Sequence, residues 1–257
     1  MNEMEKSNIG FKSLATYGVI FYIVAYFIAI IVKSIYNQLG LSLDNQTNYS
    51  NASNWVNFII YIILFVALII FNKNLLIDDF KELKKYKFSA ILLKILGGFF
   101  IFYTLSFITS LLVSQIEQYA SFAHNVLGRH DGFNTTSDNQ AYIEEVLKGN
   151  TWLIMFVSAA FFGPICEEIV FRKSIFAVCK NKELAILLSS TIFGLIHVIS
   201  SIGLYSPLEL CIMLAPYIAA GLGLVIVYQK NDYNIYLPIA VHIISNTISL
   251  ISILIMR

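Results

Sequence analysis

The chain has 257 residues, 17 basic and 16 acidic, for a net charge of +1; 58% are hydrophobic and 13% charged, against roughly 25% charged in a typical soluble domain. A water-soluble fold of this length has too little polar side chain to cover so much apolar surface, and hydrocarbon as solvent removes that difficulty. The balanced charge argues against a nucleic-acid partner, which needs a concentrated basic surface.

Runs long enough to cross a bilayer core, about 20 residues each, fall at residues 14–35, 55–71, 89–113, 151–178, 184–202, 208–228 and 235–256. The expected fold class is therefore all-α, a polytopic transmembrane helical bundle of seven spans. The first run is too long for a signal-peptide core and lacks a small-residue cleavage site, so it is expected to be retained. The segment 72–88 carries Lys73, Lys81, Lys84, Lys85 and Lys87. Further basic residues lie at Arg172, Lys173, Lys180, Lys182 and Lys230. Segments 37–54 and 200–207 have none, and 114–150 has only Arg129 and Lys148. The positive-inside rule then puts the N-terminus in the cytoplasm and the C-terminus outside a cell membrane.

Within the outer segments, Asn45, Asn48, Asn51 and Asn134 each begin a formal glycosylation triplet, read as a by-product of an Asn-rich composition. Residues 141–148 form a short amphipathic stretch with Ile143, Val146 and Leu147 on one side, expected to lie on the membrane surface. His124, Arg129, His130, Asp131, Glu144 and Glu145 read as solvated loop residues. Cys166, Cys179 and Cys211 fall in apolar stretches without a CxxC pair and read as small buried hydrophobes.

Ionisable groups inside a membrane cost about 2.5–3.5 kcal/mol each on insertion scales, so their default reading is functional. Here they concentrate in three of the last four spans. Cys166-Glu167-Glu168-Ile169-Val170-Phe171-Arg172 sets Glu168 and Arg172 four apart on one helical face, where they can pair. Glu167 is rotated away and left without that partner. A carboxyl in so apolar a setting suits proton exchange near neutrality, as a general base requires. Pro164, just upstream, removes a backbone donor and is expected to kink the helix. A Glu–Arg pair can also anchor a helix end, but two consecutive glutamates well inside a span exceed what anchoring needs.

In the fifth span Phe193 and His197 share a face, and Gly194 allows close approach of a neighbour. In the seventh, His242 and Asn246 lie four apart, so the amide could orient the imidazole or bind a substrate oxygen. Either histidine alone reads equally as a packing residue. At about 1.5 Å per residue, Glu167, His197 and His242 sit roughly 18, 20 and 10 Å from the cytoplasmic ends of their spans, so helix tilt can bring them to one level. Two histidines and a glutamate can hold a water, with or without a metal.

Glu167-Glu168-xxx-Arg172, Phe193-xxx-His197 and His242-xxx-Asn246, in this order on successive spans, resemble the CPBP family of intramembrane proteases, also called the CAAX prenyl endopeptidase or Abi family. The resemblance covers residues 151–256, dividing the chain into three N-terminal spans with a long outer loop (1–150) and a protease core (151–257). Lys173 departs from the glycine found there in many bacterial members, a change bearing on local packing. The resemblance implies a peptidase acting on a membrane-associated peptide or protein. Glu167 would activate water with help from His197, His242 and Asn246 would complete the site and stabilise the oxyanion, and Glu168 and Arg172 would support it. Glu167, His197 and His242 could supply three ligands to a divalent metal such as zinc, and a metal-independent water is equally compatible. Peptide processing or bacteriocin self-immunity are the implied roles, and the Asn- and Ile-rich composition suits a low-GC bacterium. A proton-coupled transporter is the rival reading, but it calls for repeated halves that the sequence lacks. A second rival is a non-catalytic immunity or scaffold protein of the same fold.

Overall fold

Among the described residues of the computed structural model, seven helices are long and apolar enough to cross a membrane. Residues 2–126 and 136–256 are described, with side chains at 120–126 left aside; His124, Arg129, His130, Asp131 and the Asn134 triplet lie outside the described residues. The spans are α1 (Glu3–Gln38), α2 (Gln46–Leu83), α3 (Phe88–Val126), α5 (Trp152–Val178), α6 (Lys182–Ser201), α7 (Pro207–Lys230) and α8 (Tyr236–Ile255), and the shorter α4 (Asp138–Lys148) precedes α5. No strand occurs among the described residues. Helices start where short polar side chains satisfy the first free backbone amides. Asn45 caps α2, Ser137 caps α4, Asn181 caps α6, and Ser206 with Glu209 forms a reciprocal capping box on α7. Hydropathy located all seven spans, but α1 and α2 run well past their apolar stretches because helical hydrogen bonding continues into the polar boundary.

The most enclosed span is α5, and α3 is the most peripheral. Cys166, Ile169, Val170 and Phe171 of α5 share one core with Ile20 of α1, with Ile60, Leu64 and Leu68 of α2, and with Leu224 and Val241 of α7 and α8. The first three spans and the last four therefore bury their apolar faces against each other. Cys166 lies in this core, whereas Cys179 is half-buried and Cys211 exposed; the expectation of three buried thiols fails at Cys211, which lies on an outward face of its helix.

Helix α4 corrects another expectation. Val146 and Leu147 pack against Met155 and Ala160 of α5 and Leu250 of α8, so the amphipathic stretch buries its apolar side in protein rather than lipid. Glu144 and Glu145 are helical, not loop residues. Glu145 accepts hydrogen bonds from Ser50 Oγ at 2.7 Å and Gln46 Nε2 at 3.3 Å, and Glu144 accepts from Gln140.

At the opposite, lysine-rich end, Asp79 ties three spans together. Its Oδ2 pairs with Lys173 Nζ at 2.6 Å and accepts from the Ile235 amide at 3.0 Å, at the start of α8, where the helix dipole favours a negative charge. Lys173, the departure from the family pattern, is thus matched by an acid on α2.

Helices α6 and α7 meet through glycines. A Cβ on Gly194 would come within 2.8 Å of the Ile218 side chain, and one on Gly221 within 3.1 Å of the Ser190 carbonyl and 3.2 Å of its Cα. Because backbone cannot yield as a side chain does, Gly221→Ala should lower stability by about 1–3 kcal/mol, read as an earlier unfolding midpoint in detergent. Gly97→Ala, with nothing within 4 Å of the added atom, should leave the midpoint unchanged or raise it.

Candidate active site

Helix α5 is regular α-helix only in pieces. Wide π-helical turns at Ser158–Phe162 and Ile169–Ser174 bracket the segment Gly163–Glu168, and such turns are frequent at functional sites. In the first turn the Gly163 amide reaches back five residues to Ser158. The next residue, Pro164, has no N–H to give Ala159. That carbonyl instead accepts from Asn246 Nδ2 at 2.8 Å, so α8 fills the place of the missing donor.

Glu168 and Arg172 are both 0% exposed. Glu168 Oε2 lies 3.1 Å from Arg172 Nε, an ion pair in which those two atoms complete no well-aimed hydrogen bond. The guanidinium also donates from Nη2 to the Gly221 carbonyl at 3.1 Å and lies over the Phe193 ring, 4.5 Å from its centroid. The other oxygen, Glu168 Oε1, is 2.9 Å from His242 Nδ1. A carboxylate oxygen accepts, so Nδ1 is the donor in this contact, and in the neutral imidazole that makes Nε2 the acceptor. The imidazole is therefore oriented by Glu168 and not by Asn246, orientation being one of the two roles that the four-residue spacing allowed the amide.

His242 Nε2 faces Glu167 Oε2 at 3.9 Å. The two atoms are beyond direct hydrogen-bond reach at that separation, and a water seated to one side of the line between them could bridge both. The second oxygen, Glu167 Oε1, accepts from the Tyr61 hydroxyl at 3.4 Å. Tyr61 comes from α2 and was not read from the sequence; it sits mid-span among aliphatic residues, but one tyrosine among 15 does not announce itself.

His197 shares its face with Phe193 as the spacing predicts. Its Nδ1 donates to the Phe193 carbonyl at 2.7 Å, and its ring stacks on Tyr217 with centroids 4.7 Å apart and planes 21° from parallel. Phe193 also meets His242 edge-on at 5.7 Å. His197 is within electrostatic reach of Glu167, His242 and Arg172. The structure thus gathers Glu168, Arg172 and His242 by direct contact, sets Glu167 3.9 Å from His242, joins His197 through Phe193, and places Asn246 on Ala159. Among the described residues no group of three or more His, Cys, Asp or Glu side chains is arranged to hold a metal ion.

Seven apolar helices around a buried carboxylate–guanidinium–imidazole cluster define a multi-pass membrane protein with a polar centre. Residues 149–248 match the family model described as type II CAAX prenyl endopeptidase Rce1-like, and the match falls on the region that carries the three motifs. A "Putative membrane peptidase YdiL" of Bacillus subtilis (strain 168) is 31% identical over 45% of this chain and 43% of its own length. The "UPF0177 protein YajF" of Lactococcus lactis subsp. lactis (strain IL1403) is 33% identical over 32% of this chain and 36% of its own. An "Uncharacterized protein" of Mycoplasma capricolum subsp. capricolum is 26% identical over 68% of this chain and 46% of its own. The chain thus matches less than half the length of each of these relatives. No solved structure matches it.

The two adjacent glutamates should separate in stability. Glu168→Gln leaves Arg172 buried without its counter-charge and should cost about 3–5 kcal/mol. Glu167→Gln, which loses one long hydrogen bond, should cost about 1 kcal/mol or less. Thermal unfolding of both variants in detergent measures the difference.

Proposed function

We propose that this chain is an intramembrane endopeptidase that hydrolyses a peptide bond of a membrane-associated peptide or protein. The observation that carries the reading is the 3.9 Å gap between Glu167 Oε2 and His242 Nε2, in a cluster supplied by the region that matches the Rce1-like family. A water bridging Glu167 Oε2 and His242 Nε2 from one side gives a proton to Glu167 as its oxygen attacks the scissile carbonyl carbon. The carbonyl oxygen takes the negative charge, and the C–N bond then breaks as Glu167 returns the proton to the leaving nitrogen. Glu168 and Arg172 hold the imidazole in the tautomer that keeps Nε2 open to the water. His197 and Asn246 complete the polar wall.

A zinc site needs three protein ligands and an open position, for which Glu167, His197 and His242 are the candidates; the carboxylate-activated water is the form of catalysis we propose, on the approach of Glu167 to His242. The lysines at 72–88 and after α5 support an N-terminus in the cytoplasm and a C-terminus outside. Peptide processing is the biological setting we infer, bacteriocin self-immunity being one such use.

The test is processing of a membrane peptide by the purified full chain in lipid vesicles. Glu167→Gln should lower the rate by about 10²–10⁴-fold, the usual range for a lost general base, and a chelator should leave the wild-type rate unchanged. Equal rates in wild type and variant would remove the peptidase reading, and chelator sensitivity would remove its metal-free form.

A further inference from the structure

Tyr217 touches both the polar centre and α4. It follows Pro216, which lies inside α7 and removes a backbone donor there. Its ring is stacked on the His197 imidazole, while its hydroxyl is 2.9 Å from Ser137 Oγ. Ser137 is also the N-cap of α4, accepting from the Gln140 amide at 3.3 Å. The next residue, Asp138, receives hydrogen bonds from Ser201 Oγ at 3.1 Å and from the Tyr205 hydroxyl at 3.0 Å. At its other end α4 is held to α2 through Glu145 and Ser50. Its apolar side covers Ala160, in the π turn just before the glutamates. The helix is therefore a strap across the end of the bundle opposite the lysine-rich loops, with polar ties at both of its ends.

An imidazole with Nδ1 fixed on its own helix still has to be held against rotation of its ring, and a parallel aromatic face at this distance does that. We infer that Tyr217 is a positioning residue: its ring sets the plane of His197, and its hydroxyl fastens that ring to the strap. The strap's seating is thereby coupled to the geometry of the histidine, so a peptide that displaces α4 on entering alters His197 through one side chain. The consequence for catalysis rests on the peptidase reading above; the coupling itself does not.

Ring and hydroxyl can be separated. Tyr217→Leu removes both, Tyr217→Phe removes only the hydroxyl, and Ser137→Ala removes one of its partners on the strap, Asn139 being the other. The readouts are kcat and KM for a membrane peptide in vesicles, the His197 imidazole resonances assigned with His197→Gln, and amide exchange over residues 138–148. Tyr217→Leu should shift the His197 resonances and lower kcat by roughly ten- to hundredfold, the scale of a misplaced catalytic group. Tyr217→Phe should restore kcat to near wild type. Tyr217→Phe should speed exchange in the strap by about fivefold, the effect of one ordinary hydrogen bond, Ser137→Ala, which also loses the N-cap, by more, and the double variant should exchange little faster than Ser137→Ala alone. An unchanged kcat in Tyr217→Leu, an equal loss in Tyr217→Phe, or additive effects on exchange would overturn the inference. A wild type that cleaves nothing overturns the peptidase reading alone, and the resonances and exchange rates then decide the coupling by themselves.

Discussion

Everything at the centre of this bundle depends on Glu168 being shared between Arg172 and His242. A full charge inside packed apolar helices is tolerated only with a counter-charge and further hydrogen bonds, and this carboxylate supplies one oxygen to each partner. Its bond to the imidazole leaves Nε2 on the side of Glu167. Its pairing with the guanidinium places Arg172 where it reaches the Gly221 carbonyl and lies over Phe193, fixing the distance of α7 and α6 from α5. One side chain thus determines both the packing of three helices and the orientation of the group that meets Glu167.

Much of this was legible in the residues. Seven apolar runs gave seven spans, the four-residue spacing gave the Glu168–Arg172 pair, and Phe193 with His197 gave a shared face, because each depends on contacts within one helix. What the sequence did not carry were contacts between helices. The orientation of His242 by Glu168, the docking of Asn246 on Ala159, and the approach of Tyr61 and Tyr217 all depend on how far each helix is rotated about its axis. In α5 that rotation is shifted by the π turns, for which Pro164 is a visible cause at only one; in the other helices it is set by packing between helices, which no single helix displays. Helix α4 was misjudged for a related reason: an amphipathic stretch shows that one side must be buried, and not whether lipid or protein covers it.

The family match begins at residue 149, yet the cluster does not close within that region. Tyr61 of α2 reaches Glu167, Asp79 of α2 receives Lys173 and the start of α8, and Ser50 holds the strap. The N-terminal spans are therefore part of what gives the carboxylates their surroundings, and they pack into the same core as α5.

The wide turn at Ser158–Phe162 makes residue count, more than residue type, the constraint on this stretch. A π turn amounts to one residue inserted into an α-helix, and one residue corresponds to about 100° of winding. Deleting any single position there, with regular winding restored, would swing both glutamates by that angle toward a different neighbour while leaving span length and hydropathy almost untouched. Insertions and deletions, which loops absorb freely, are thus the changes this helix is least able to absorb.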